Sequence, residues 1–184
     1  GYGGAAFTRF IEEGHAAGVI DLNVHELGRI NIAGAHVDMP TRFTAAAGLP
    51  LVALPGALNF IGCGELMTLN AEYLSRPHYR HTNQFTHVKL TEAEMASQAE
   101  GWAVLLNASI APCHVIIPMG GFSHEDRIGG AIEDAALRHI TADILDQRAA
   151  NFTVVRMPDH INSPNVEFAY TGALHDIMHS KDTS

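Results

Sequence analysis

The sequence predicts an open α/β fold: a three-layer lobe with a mostly parallel sheet and helices on both faces. Three observations carry this. Short, mainly apolar runs recur at residues 18–22, 49–54, 113–118 and 152–156, the pattern of strands covered on both sides. Longer stretches with apolar residues at helical spacing separate them. Strands alternating with helices require parallel pairing through right-handed crossovers, and those crossovers lay helices against the sheet.

The elements follow in order. A helix is expected over residues 5–13, burying Phe7, Phe10 and Ile11, with Gly14 and Gly18 bracketing its end. The first strand leads to helices expected over 24–33 and 40–47, and Pro55-Gly56 stops the second strand. From 55 to 90 periodicity is weak, and the segment reads as a long irregular connection of the kind that usually serves function. Thr91 and Glu94 form a capping box that opens a helix to residue 107, with Met95, Ala99, Trp102, Leu105 and Leu106 as its inward stripe. A glycine-punctuated loop over 119–130 precedes a helix over 132–149, with Ile140 and Ile144 inside. Ser163-Pro164 supplies an N-cap and first-turn proline for a last helix to residue 179. No repeat or linker divides residues 1–184, so a single lobe is expected. The glycine-rich turn at 1–4 would ordinarily follow a strand, so a further lobe is expected upstream.

Composition narrows the function. Hydrophobic residues make up 47% of the 184 and charged residues 17%, enough apolar material for a core and too much for a disordered tail. The net charge is −9, and Lys89 and Lys181 are the only lysines, so a nucleic-acid surface built on clustered cations is excluded. A bound phosphate would rest on backbone N–H groups, arginine or a metal. No apolar run reaches the roughly 18–20 residues of a membrane span. Cys63 and Cys113 form no Cys-x-x-Cys pair, so a reducing, cytoplasmic setting is expected.

In parallel sheets ligands bind beyond the carboxyl ends of the strands, and the candidates come from those turns. Gly3 and Gly4, ahead of a helix, offer N–H groups to an anion or simply make a tight turn. Asp21 and Glu26 suit ribose, cation or proton contacts, while Asn23 with Glu26 also has capping-box spacing. Pro55, Gly56 and Asn59 follow the second strand, where Gly56 allows close approach of a ligand or a plain chain reversal. The densest polar stretch is 78–87. There Arg80, His81 and Asn83 suit anion or base-edge contacts, whereas His78, His81 and His87 lack the spacing of a standard metal site. Gly120, Gly121 and Ser123 resemble a phosphate nest beside the acidic pair Glu125-Asp126, which suits Mg²⁺. Asp159 and His160 suit general-base work or fix the turn before Ser163.

Read together, these segments resemble one known arrangement. Gly3-Gly-Ala-Ala6, Gly18-Val-Ile-Asp-Leu22 with Glu26, Pro55-Gly-Ala-Leu-Asn59, His81-Thr-Asn-Gln84, Pro118-Met-Gly-Gly-Phe-Ser123 and His160-Ile-Asn162 occur in the order seen in the C-terminal half of the Tm-one-like ATP-binding family. That uncharacterised family is named after a tomato mosaic virus resistance protein. The resemblance implies a Rossmann-like lobe after an N-terminal lobe, with ligand near the lobe junction and Gly3, Gly4, Pro55, Gly56, His81, Asn83, Gly121 and Ser123 facing it. It implies ATP, with Mg, as cofactor and a homo-oligomer, while charge and hydropathy speak against a direct nucleic-acid or membrane partner. Two positions depart from the family pattern: Asn59 stands where Asp is expected and Gly120 where a basic residue is common. Two other readings stand beside nucleotide binding. One is a hydrolase or lyase on a small phosphorylated or carboxylated substrate, using Asp21, Glu26, His81, Asp159 and His160. The other is a protein-interaction module.

Overall fold

The structure, a computed structural model, describes residues 3–32 and 44–179. Its elements in chain order are α1 (Gly3–Glu12), β1 (Val19–Asn23), α2 (Glu26–Asn31), β2 (Leu51–Gly56), β3 (Phe60–Cys63), α3 (Ala71–Ser75), β4 (His78–Arg80), β5 (Thr86–Lys89), α4 (Glu92–Asn107), β6 (Cys113–Pro118), α5 (Ala135–Arg148), β7 (Thr153–Met157) and α6 (Pro164–His179).

The main sheet is parallel throughout, in the order β1-β2-β6-β7. Each step moves the same way, so right-handed crossovers stack their helices on one face. Leu51, Ala53, Val115 and Ile117 point to that face and join Trp102, Leu106, Leu137 and Leu145 in one core. The alternate residues Val52, Leu54 and Ile116 point the other way, where Val166 and Ile177 of α6 cover them. The predicted three-layer, Rossmann-like architecture is therefore present. Both faces being covered explains why the strands read as apolar runs without alternation.

The segment read as irregular is not. Residues 60–89 hold a second, antiparallel sheet in the order β3-β5-β4, with short helix α3 between β3 and β4. Its strands run only three to four residues, too few for a two-residue period to stand out. Ile61 and Val88 turn one face into the core, while Phe60, Tyr79 and His87 share the other.

Smaller differences have local causes. Phe10 is 53% exposed, because α1 turns Thr8 and Ile11 inward instead. In α5 the inward stripe is Leu137, Thr141 and Leu145, leaving Ile140 and Ile144 half-buried. Of the helix expected over 40–47, residues 40–43 lie outside the described residues, and 44–48 form a turn. The Thr91–Glu94 capping box forms as read, with Thr91 N donating to Glu94 Oε2 at 2.8 Å.

At Gly56 the strands β1 and β2 approach so closely that a Cβ would stand 2.0 Å from the Leu22 carbonyl oxygen. The pairing register slips there between Asp21 and Asn23. Backbone cannot move aside as a flexible side chain can. Gly56→Ala is therefore expected to destabilise the chain by about 3 kcal/mol, the upper end for overpacking, as measured by urea unfolding.

Candidate functional site

An open cleft of about 530 Å³ lies where the carboxyl ends of β1, β2, β6 and β7 meet the outer face of the antiparallel sheet. Asn23 and Gly56 line it from the strand ends, Ser123 and His124 from the β6–α5 loop, and Phe60, Tyr79, His81 and His87 from the small sheet. Glu167 and Tyr170 of α6 close one side.

The wall on the small sheet is a column of rings. His81 stacks on His87 with centroids 4.5 Å apart, and His87 stacks on Phe60 at 4.1 Å. His25 tilts against Phe60 at 5.0 Å, extending the group. Register makes the column: β4 and β5 set Tyr79 opposite His87, and the Tyr79 hydroxyl and His87 Nδ1 share a 2.7 Å hydrogen bond. Burial, with His81 and His25 adding to it, pushes the His87 imidazole down from 6.5 to about 4, so the ring is neutral at pH 7. Burial also raises the Tyr79 hydroxyl, with Glu125 contributing.

The opposite wall rests on glycines. Gly120 N donates to Asp159 O and Gly121 N to Pro118 O, while Ile161 N donates to Gly121 O. A Cβ on Gly120 would meet His160 N at 2.5 Å, and one on Gly121 would meet Asp126 O at 2.6 Å. These glycines let two loops pack backbone to backbone; that contact takes the Gly120 N–H, and the Gly121 N–H closes its own turn, so neither faces a phosphate. Phe122 N is taken as well, by Asp126 Oδ2 at 2.8 Å. His160 pins the loop: Nδ1 accepts from Asn162 N at 3.1 Å, so Nε2–H donates to Ser123 O at 2.9 Å. Ser123 lines the cleft, and its hydroxyl is buried without a hydrogen-bond partner.

The remaining candidates take other places. Asp21 lines a separate void of about 20 Å³ with Trp102 and Leu106. Glu26 is buried in α2, and the capping-box reading fails there because Asn23 Oδ1 accepts from His25 N instead. Asp159 accepts from Ser163 Oγ and Asn165 Nδ2 at the start of α6. Asp126 is buried against Arg138, so the acidic pair Glu125-Asp126 is engaged inside the loop. Arg80 and Asn83 are exposed beside the cleft without lining it, and neither Gly3, Gly4 nor Pro55 lines it. Asn59 is 1% exposed with both amide atoms unpartnered, one residue from Phe60. His78 turns away, its Nδ1 donating to Arg76 O. The structure thus brings Gly56, His81 and Ser123 to one cleft, with Gly120, Gly121 and His160 directly behind Ser123.

Phe60, Tyr79 and Ala57 escaped the sequence reading as cleft residues. Tyr79, His81 and His87 sit at alternating positions of a hairpin, which was the available signal. Ala57 gave none: it holds φ at +56°, a left-handed conformation costing of order 1–3 kcal/mol. Its N–H donates to Phe122 O, and its carbonyl accepts from His25 Nδ1.

Two outcomes follow from this geometry. Arg138 Nη1 holds Asp126 Oδ1 at 2.7 Å, both side chains nearly sealed from water. Burial raises the Asp126 carboxyl while Phe122 N–H and Arg138 oppose that rise. Arg138→Met removes the opposition and should cost about 3–5 kcal/mol in chemical denaturation. His87 binds its proton less readily folded, near 4, than unfolded, near 6.5, so unfolding takes up a proton in that window. Stability should fall as pH drops from 6.5 towards 4, and His87→Phe should flatten that part of the pH–stability curve.

Comparison with known proteins adds the family. Residues 1–178 match the C-terminal domain of the uncharacterised protein family UPF0261. A UPF0261 protein of Rhizobium meliloti is 30% identical over 182 residues, covering 96% of this chain and 46% of the relative. One from Clostridium tetani is 28% identical over 184 residues, covering 97% and 45%. The tomato ToMV susceptible protein tm-1(GCR26) is 29% identical over 175 residues, covering 92% of this chain and 23% of that protein. The chain therefore spans less than half the length of these relatives. It belongs to the UPF0261 C-terminal domain family, in line with the resemblance read from its motifs.

Proposed function

We propose that this UPF0261 C-terminal domain is a nucleotide-binding lobe whose cleft receives the base and sugar, with Mg-ATP as the leading ligand. The observation that carries this reading is the column Phe60–His87–His81. His81, at its outer end, is exposed and offers a ring face to a planar base, and such stacking is worth about 1–3 kcal/mol per base. Ser123 lines the cleft with its carbonyl held by His160, and rotation of its buried, unpartnered hydroxyl towards the ligand supplies a hydrogen bond that the protein itself leaves unmade. The cleft's walls suit a ring better than a triphosphate. The glycine N–H groups face other backbone, and no arginine or lysine is among the lining residues. A triphosphate would draw its remaining contacts from the rest of the polypeptide.

Calorimetric titration of the full-length protein with adenosine and with Mg-ATP tests the reading, and both are expected to bind. His81→Ala should weaken each roughly 5- to 150-fold, the range set by 1–3 kcal/mol of stacking. Ser123→Ala should weaken each by about fivefold, one neutral hydrogen bond. No heat and no thermal shift with either ligand would remove the proposal.

A further inference from the structure

The cleft has an unusual charge balance for a site that takes a phosphorylated molecule. Among its lining residues, the groups able to carry positive charge are His81, His87 and His124, and Glu167 is a carboxylate facing them. The permanent cations nearby are engaged elsewhere. Lys89 pairs with Asp134, Arg138 with Asp126 and Glu133, and Arg127 with Glu125 and the His124 carbonyl. Among the described residues Arg80 has no ion-pair partner, but Arg80 does not line the cleft. With the Gly120 and Gly121 N–H groups also taken, the lining offers a phosphate imidazoles and a carboxylate, and burial keeps the His87 ring neutral at pH 7. Among the lining residues, protonation of an imidazole is the one source of positive charge.

We infer that a phosphate monoester binds this cleft together with one proton, taken up by the stacked His81–His87 pair. The geometry sets the number at one. The two rings lie nearly parallel, 13° apart, at 4.5 Å between centroids, so a charge on one repels a second on the other. It also suits His87 to either state: the Tyr79 oxygen at Nδ1 donates to the neutral ring and accepts from the charged one. The other titratable groups facing the pair are Tyr79 on β4, His25 before α2, His124 and Glu125 on the β6–α5 loop, and Glu167 on α6. On β5, Lys89 shares the face of His87 but is held by Asp134. Burial keeps His87 neutral in the empty cleft at pH 7, so the proton arrives with the anion.

This rests on the nucleotide reading, and the test separates the two. The full-length protein is titrated with AMP and with adenosine at pH 7 and pH 8, in buffers of different ionisation enthalpy. That range lies above the second phosphate ionisation near 6, so free AMP remains dianionic. AMP binding is expected to take up about one proton and to weaken about tenfold from pH 7 to pH 8, while adenosine takes up none. His81→Gln and His87→Gln should each reduce the uptake, with thermal unfolding confirming that both variants are folded. AMP binding with no buffer dependence overturns the proton coupling and leaves nucleotide binding standing. Uptake unchanged in both variants places the proton on the phosphate and overturns the assignment. Failure of both ligands to bind overturns the coupling and the nucleotide reading together.

Discussion

The rim of the main sheet depends on one constraint: at the carboxyl ends of the strands, backbone packs directly against backbone. Gly56 sits on the Leu22 carbonyl, and Gly120 and Gly121 sit under the turn that carries Asp159 and His160. No side chain fits at those contacts. The same closeness that demands glycine also pairs the glycine amides with protein acceptors. A glycine-rich turn at a strand end is therefore not automatically an anion site. Here the next loop takes the Gly120 N–H and the turn itself takes the Gly121 N–H.

That transfers recognition from the parallel sheet to the antiparallel one. The strand order β1-β2-β6-β7 runs in a single direction, so among the described strands there is no reversal to open a crevice. The crevice exists because the chain, on leaving β2, builds β3, α3, β4 and β5 before returning through α4 to β6. Ile61 and Val88 anchor that insertion in the core, which fixes the height at which Phe60, Tyr79 and His87 stand over the strand ends. The core residues and the ring column occupy opposite faces of the same short strands. A slip of one residue would exchange them.

This explains which parts could be read from the sequence. Long helices and doubly covered strands announce themselves: the stripe at Met95, Ala99 and Trp102 and the run at Cys113–Pro118 are found where expected, while the strand read at 49–54 and stopped by Pro55-Gly56 instead spans Leu51–Gly56, its pairing with Asn23 carrying it through Gly56. The small sheet stayed hidden, since Phe60–Cys63 and Thr86–Lys89 are each four residues long and mix apolar with polar positions on both faces. Site residues followed the same division. His81 and Ser123 stood out as polar groups in the turns. Phe60 and Ala57 carried no signal, Ala57 despite its left-handed backbone. His160 was legible only as one of two tasks, a base or a residue that fixes the turn, because a ring with both nitrogens bound to backbone looks the same in sequence as one awaiting a proton.

The strained Ala57 shows how the two walls are joined. Its N–H reaches across to Phe122, beside Ser123, while its carbonyl receives the His25 imidazole, which leans on Phe60. One residue thus links the glycine loop to the ring column. A conformation costing of order 1–3 kcal/mol persists only where its surroundings over-determine it, and here two hydrogen bonds from opposite walls do so. Relaxing Ala57 to an ordinary φ would break both bonds and uncouple Ser123 from the rings. The strain therefore sets the distance across the cleft, and the buried Asp126–Arg138 pair, by fixing the far end of the same loop, keeps the Phe122 carbonyl in place to receive it.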